Sequence, residues 1–100
     1  AATKAAVDCF TTGFAKEVAD QGIRVNAVRP GMVRTDMTAG LLSDPAIEAK
    51  LADSIPMNRI ADPIEIAQAI RWLLSPAASF ISGAHLDASG GGFIVGERTI

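Results

Sequence analysis

Apolar residues recur at steps of three and four through the first part of the chain. Val7, Phe10, Phe14 and Val18 fall on one stripe of a helix predicted from about Ala1 to Gln21. Gly22 follows as a left-handed stop. The period then changes to two, and a strand is predicted from Ile23 to Val28. Ile23, Val25 and Ala27 face one side, and Arg24, Asn26 and Val28 the other. Pro30 has no N–H to give a ladder and ends it. A second long helix is announced by Asp62-Pro63-Ile64-Glu65, in which Asp caps, Pro takes the first turn and Glu can close a capping box. Its buried face is predicted as Ile66, Ala67, Ile70, Leu73 and Leu74, and Ser75-Pro76 stops it. Between these elements, Asp36 to Ala61 is a long excursion holding one modest helix around Pro45 to Asp53. A last strand is predicted from Ala84 to Ala88, running into Gly90-Gly91-Gly92.

Strand, helix and strand in that order predict an α/β fold with a parallel sheet and a right-handed crossover. Two strands do not make such a sheet stable, because parallel strands need helices on both faces and neighbours at both edges. The chain is therefore expected to be part of a larger doubly wound domain. Its opening fits that expectation, since the helical pattern is already running at residue 1, with no initiator Met and no capping residue.

Composition changes this picture only by exclusion. The chain has 100 residues, room for at most one small domain, and is 49% hydrophobic, high for something that must cover its own surface. A net charge of −2 supplies no basic field for nucleic acid or an acidic membrane. No apolar run approaches the roughly 18 residues of a membrane span. The single Cys9 cannot form an internal disulfide and reads as a small buried hydrophobe in a reduced, cytoplasmic setting. His85 has no partners nearby in sequence for a triad or a metal, and no metal site is expected.

The ordered set Thr3-Lys4-Ala5-Ala6-Val7, Gly22-Ile23-Arg24-Val25-Asn26-Ala27-Val28-Arg29-Pro30-Gly31 and Thr35-Asp36-Met37 resembles classical short-chain dehydrogenases/reductases. Ile55-Pro56-Met57-Asn58-Arg59, Pro63-Ile64-Glu65-Ile66-Ala67, Ser82-Gly83 and Gly90-Gly91 keep the order of that family's C-terminal portion. The resemblance covers essentially the whole chain. It implies that residues 1–100 are the C-terminal fragment of a single NAD(P)-binding, Rossmann-type domain. It also implies reversible hydride transfer between NAD or NADP and a small-molecule carbonyl/alcohol pair.

By the same resemblance Lys4 is the Lys of a Tyr-x-x-x-Lys motif, both catalytic and cofactor-binding. Four residues make about one helical turn, so the two side chains would share a face. A phenol with a pKa of about 10 is a weak acid or base at neutral pH, and a nearby ammonium favours its phenolate. The Tyr would stand just before Ala1; the chain contains no tyrosine, so these residues alone are expected to be inactive. Pro30 and Gly31 sit at the carboxyl end of a strand, where open α/β sheets bind ligands. The resemblance implies that Pro30 and Gly31, the Val33 backbone and the Thr35 hydroxyl contact the cofactor. The excursion from Asp36 to Ala61 would be the substrate lid, with Met37, Leu41, Leu42 and Met57 as apolar residues that either meet the substrate or pack the lid's own underside. The helix carrying Lys4 would contribute to a subunit interface, giving a homo-dimer or homo-tetramer. One departure stands out: Ser89 occupies the position where many relatives carry the Asp of Asp-Gly-Gly, and Asp87 lies two residues earlier. The alternative is a non-catalytic, truncated relative that keeps the helix as an assembly surface; an unrelated small α/β protein is a further rival.

Overall fold

The computed structural model describes residues 2–91, so Ala1 and Gly92 of the expectations above lie outside the described residues. Six regular elements appear in chain order: α1 (Ala2–Val18), β1 (Ala27–Pro30), α2 (Asp36–Leu42), α3 (Pro45–Asp53), α4 (Pro63–Leu74) and β2 (His85–Ala88). Short 3-10 turns follow α1 at Ala19–Gln21 and α4 at Pro76–Ala78. β1 and β2 pair as a two-stranded sheet. Ala27 N–H donates to Ala84 O at 2.9 Å and Gly31 N–H to Ala88 O at 3.2 Å, so both strands advance together and the pair is parallel.

The chain divides into two compact units, one of Ala1–Arg29 with Ala69–Leu86 and one of Pro30–Gln68 with Asp87–Ile100. In the first, α1 ends through its 3-10 turn at Gly22, whose φ of 75° is the left-handed stop the sequence predicts. Thr11, Ala15 and Val18 are its buried residues. Thr11 is satisfied there because its hydroxyl donates to Val7 O one turn back, at 2.8 Å. The apolar stripe of Val7, Phe10, Phe14 and Val18 is not a core face: of its members only Val18 is buried. Phe10 is 65% and Phe14 38% exposed, and their rings stack on each other at 5.3 Å. Thr11 and Ala15, being small, bring α1 close to the loop beyond α4, where a Cβ on Gly83 would sit 3.5 Å from that of Ala15. Cys9 is exposed, not buried.

Residues 23–26 are not strand, contrary to the alternation. Their bonds run through side chains: Val25 N–H donates to Ser82 Oγ, and the Asn26 amide accepts from Ala84 N–H at 2.9 Å and donates to Ile81 O at 3.1 Å. Such bonds hold the chain extended without forming a ladder, which begins only at Ala27. Asn26 is thus a structural hydrogen-bonder. The half-buried Arg24 guanidinium donates to Leu73 O at 2.7 Å and Ile81 O at 3.3 Å, closing the C-terminus of α4. Arg24→Met is expected to cost about 1–3 kcal/mol in equilibrium unfolding, because the carbonyls lose a charged donor. An unchanged unfolding midpoint would reject that role.

The predicted buried face of α4 is also corrected. Leu73 is buried, but Ile70 is exposed and Leu74 is 76% exposed, so that face has little cover among the described residues.

In the second unit, α3 coincides with the predicted span. Asp44 caps it, its carboxylate accepting from Ala46 N–H at 2.9 Å, and Pro45 takes the first turn. α2 was not expected, and it packs on α3. Leu42 and Ile60 are buried. The excursion returns at an isolated parallel bridge between Val33 and Ala61. At the start of α4, Glu65 reaches back to accept from Asp62 N–H at 2.8 Å, the Glu half of the predicted capping box, while Glu65 N–H donates to the Asp62 backbone carbonyl at 3.0 Å; Glu65 also receives the Arg59 guanidinium at 2.8 and 2.5 Å. The Arg59 hydrogen bond and, next, the Asp62 amide hold its pKa at about 2, below the ordinary 4.5. Protonation therefore releases the cap only in acid: its contribution is complete above about pH 4.5 and is lost as pH falls through about 2. The protection of the first-turn amides of α4, taken relative to intrinsic exchange at each pH, is expected to fall across that window, and Glu65→Gln to remove the dependence.

Candidate active site

Lys4 lies in the first turns of α1, exposed, on the helical face it shares with Asp8, Thr11 and Ala15. That face is acidic and basic at its near end, because Asp8 forms an ion pair with Arg29 on β1. A cation anchored in a regular helix presents its charge one turn above or below its own position.

The other expected site residues lie in the second unit, on the run from the carboxyl end of β1 into α2. Pro30 is exposed. Gly31 is tightly set: a Cβ there would lie 2.9 Å from Ser89 Cα, so its small size serves the pairing with the end of β2. Val33 sits in the bridge with Ala61, but the bridge uses its neighbours, Ala61 N–H to Met32 O at 3.1 Å and Arg34 N–H to Ala61 O at 2.8 Å. The N–H of Val33 itself has no acceptor among the described residues. Its carbonyl accepts from Thr38 Oγ at 2.8 Å.

Thr35 caps α2. Its own N–H donates to Thr38 Oγ at 2.9 Å, while its exposed hydroxyl is only 3.5 Å from that of Thr38, a weak contact. An amide donor and a hydroxyl, held by one turn of backbone at a strand end, can together bind a primary carboxamide: the N–H gives to its oxygen and the hydroxyl takes from its NH₂. Thr38 builds this arrangement, fixing both Val33 and Thr35, and was missed. Its signal was legible as Thr-x-x-Thr, the spacing of a capping box.

The four apolar lid residues separate. Met37 is 96% exposed and Leu41 stands out on the same short helix, but Leu42 is buried at 7%. Met57 is exposed at the mouth of a cavity of about 200 Å³ that it lines with Met32, Ile55, Ile66, Arg59 and Glu65. Ser89 Oγ donates to the Asp87 carboxylate, an internal contact between the two residues that depart from the expected pattern. His85 Nε2 lies 3.4 Å from Thr12 Oγ, a packing contact. No group of three or more His, Cys, Asp or Glu that could hold a metal occurs among the described residues.

The profile of a family described as enoyl-(acyl carrier protein) reductase matches residues 1–92. The chain is 48% identical over 91 residues to the uncharacterized oxidoreductase YgfF of Escherichia coli K12, covering 91% of this chain and 36% of that protein. It is 44% identical over 95 residues to the 3-oxoacyl-[acyl-carrier-protein] reductase FabG of Vibrio harveyi, covering 95% of this chain and 38% of the relative. A solved structure of 4-hydroxyisoleucine dehydrogenase complexed with NADH superposes with a TM-score of 0.85 at 32% identity, over 90% of this chain and 37% of that one. The chain thus spans little more than a third of the length of these proteins.

Proposed function

The chain belongs to the short-chain dehydrogenase/reductase family and folds as part of a Rossmann-type α/β sheet; on that premise we propose that it is the C-terminal part of a single NAD(P)-binding oxidoreductase domain acting on a small-molecule carbonyl/alcohol pair. The observation that carries the reading is a Val33 N–H with no acceptor among the described residues, followed two positions on by the exposed Thr35, just past the carboxyl end of β1. These groups fit a nicotinamide carboxamide, with Pro30 and Gly31 forming the adjoining backbone. Bound NAD or NADP supplies or accepts the hydride.

The chain's own residues do the rest. Val33 N–H and Thr35 hold the carboxamide in place. The Lys4 ammonium holds the ribose and lowers the pKa of a phenol one helical turn before it, so that a proton can be given to the substrate oxygen or taken from it near neutral pH. Met37, Leu41 and Met57 cover the substrate and exclude water, and Leu42 keeps the lid packed.

The exposed Val7, Phe10 and Phe14 of α1, with open space around the Gly13 position, favour a second use of that helix as the contact between subunits of a homo-dimer or homo-tetramer. The lone Cys9 accords with a cytoplasmic protein, and no helix among the described residues is long and apolar enough to cross a membrane. The reading is tested in the complete protein by following loss of reduced-nicotinamide absorbance from NADH and NADPH with a ketosugar, a steroid ketone and a 3-oxoacyl thioester. Turnover of one of them is expected; binding of neither nucleotide would reject the reading.

A further inference from the structure

We propose that Arg34 is a positioning residue whose ion pair with Glu48 couples the segment Val33–Thr35 to the α2–α3 lid; what the two parts bind rests on the function proposed above. Arg34 stands between the amide and the hydroxyl assigned to the carboxamide. Its backbone is fixed, since its N–H donates to Ala61 O at 2.8 Å, where the excursion ends. In an extended segment its side chain points to the opposite side from those of Val33 and Thr35. It reaches the carboxylate of Glu48 in the first turn of α3. One residue therefore touches the start, the end and the middle of the excursion.

Glu48 does not need this partner to stabilise its helix. An acidic side chain in a first turn is already favoured by the helix dipole, and Glu48 N–H is satisfied by Asp44 O at 2.9 Å. The pair thus does something other than end-capping. Because α3 packs on α2, and α2 begins at the Thr35–Thr38 cap, a displacement of the lid must either break the pair or move Val33 and Thr35 with it. Both side chains remain partly in water, 46% and 32% exposed, so the pair is weak enough to open and close.

The test is a double-mutant cycle in the complete protein, read by hydrogen–deuterium exchange at residues 33–35 and 45–53. Arg34→Gln and Glu48→Gln are each expected to speed exchange in both segments by about three- to fivefold at low salt. The double variant should match the singles, the reversed pair Arg34→Glu with Glu48→Arg should restore protection, and high salt should abolish the differences. Effects that add independently, or that stay within α3, would overturn the coupling. NADPH added to the native protein should slow both segments together, and slow only residues 33–35 in Glu48→Gln. A native protein that shows the cycle yet binds neither NADH nor NADPH would uphold the tether and reject the dehydrogenase reading.

Discussion

If the complete protein carries the proposed activity, Lys4→Met is expected to lower kcat by about a hundredfold or more while leaving the fold intact. The loss follows from the proposed role. Without the ammonium, the phenol one turn earlier returns toward its ordinary pKa of about 10, and the fraction of useful phenolate near neutral pH collapses. The pH profile for alcohol oxidation should accordingly move to higher pH, because the base now ionises later. Lys4→Arg, which keeps the charge, should retain part of the rate. Lys4 is exposed, and Met preserves most of its apolar stem, so the unfolding midpoint should change by no more than about 0.5 kcal/mol. An unchanged kcat with unchanged stability would remove Lys4 from the mechanism; a fall in both would make it structural.

Gly91→Ala is expected to produce the largest loss of stability, about 2–5 kcal/mol in equilibrium unfolding. Gly91 has a φ of 122°, which L side chains rarely adopt, and a Cβ placed there would lie 2.6 Å from Pro56 Cβ and 3.1 Å from its Cγ. The proline ring has no alternative rotamer to offer, so the backbone itself must shift. At Gly90, with φ of 77°, the added Cβ would meet Ile55 Cγ2 at 2.8 Å, and that methyl can turn aside. Gly90→Ala should therefore cost less than Gly91→Ala, and a reversed order would contradict this account of the turn. The two glycines seat the Ile55-Pro56-Met57 segment, whose Met57 N–H donates to Gly90 O at 2.9 Å. The end of the lid segment should thus be disturbed along with stability.

The helices and their ends were legible because they depend on local chemistry. Gly22, Asp44-Pro45 and Asp62-Pro63-Ile64-Glu65 each carry the stop or cap that the structure uses. The first strand was misplaced because alternation reports an extended backbone, whereas a ladder depends on what pairs with it. Around residues 24–26 that pairing passes through Asn26 and Ser82 side chains. α2 escaped notice because its sequence, with Thr38 and Gly40, is a poor helix former; the Thr35–Thr38 cap and the burial of Leu42 hold it instead. Burial was the least legible property. Phe10, Phe14, Ile70 and Leu74 are as apolar as core residues, and sequence alone does not say which neighbour covers them. The sites divide the same way. Lys4, Pro30, Gly31, Val33 and Thr35 are assigned through the resemblance alone; Thr38 left a trace in the Thr-x-x-Thr spacing, and only the Arg34–Glu48 pair needed coordinates, because its partners lie 14 residues apart.

The role proposed for Lys4 requires a phenol one helical turn before it. The most direct measurement is the identity of the residue four positions before Lys4, read from the gene or by peptide mapping of the source protein. A tyrosine there is the predicted result. Any residue without an ionisable hydroxyl would contradict the catalytic account and leave assembly through the exposed α1 face as the reading to pursue.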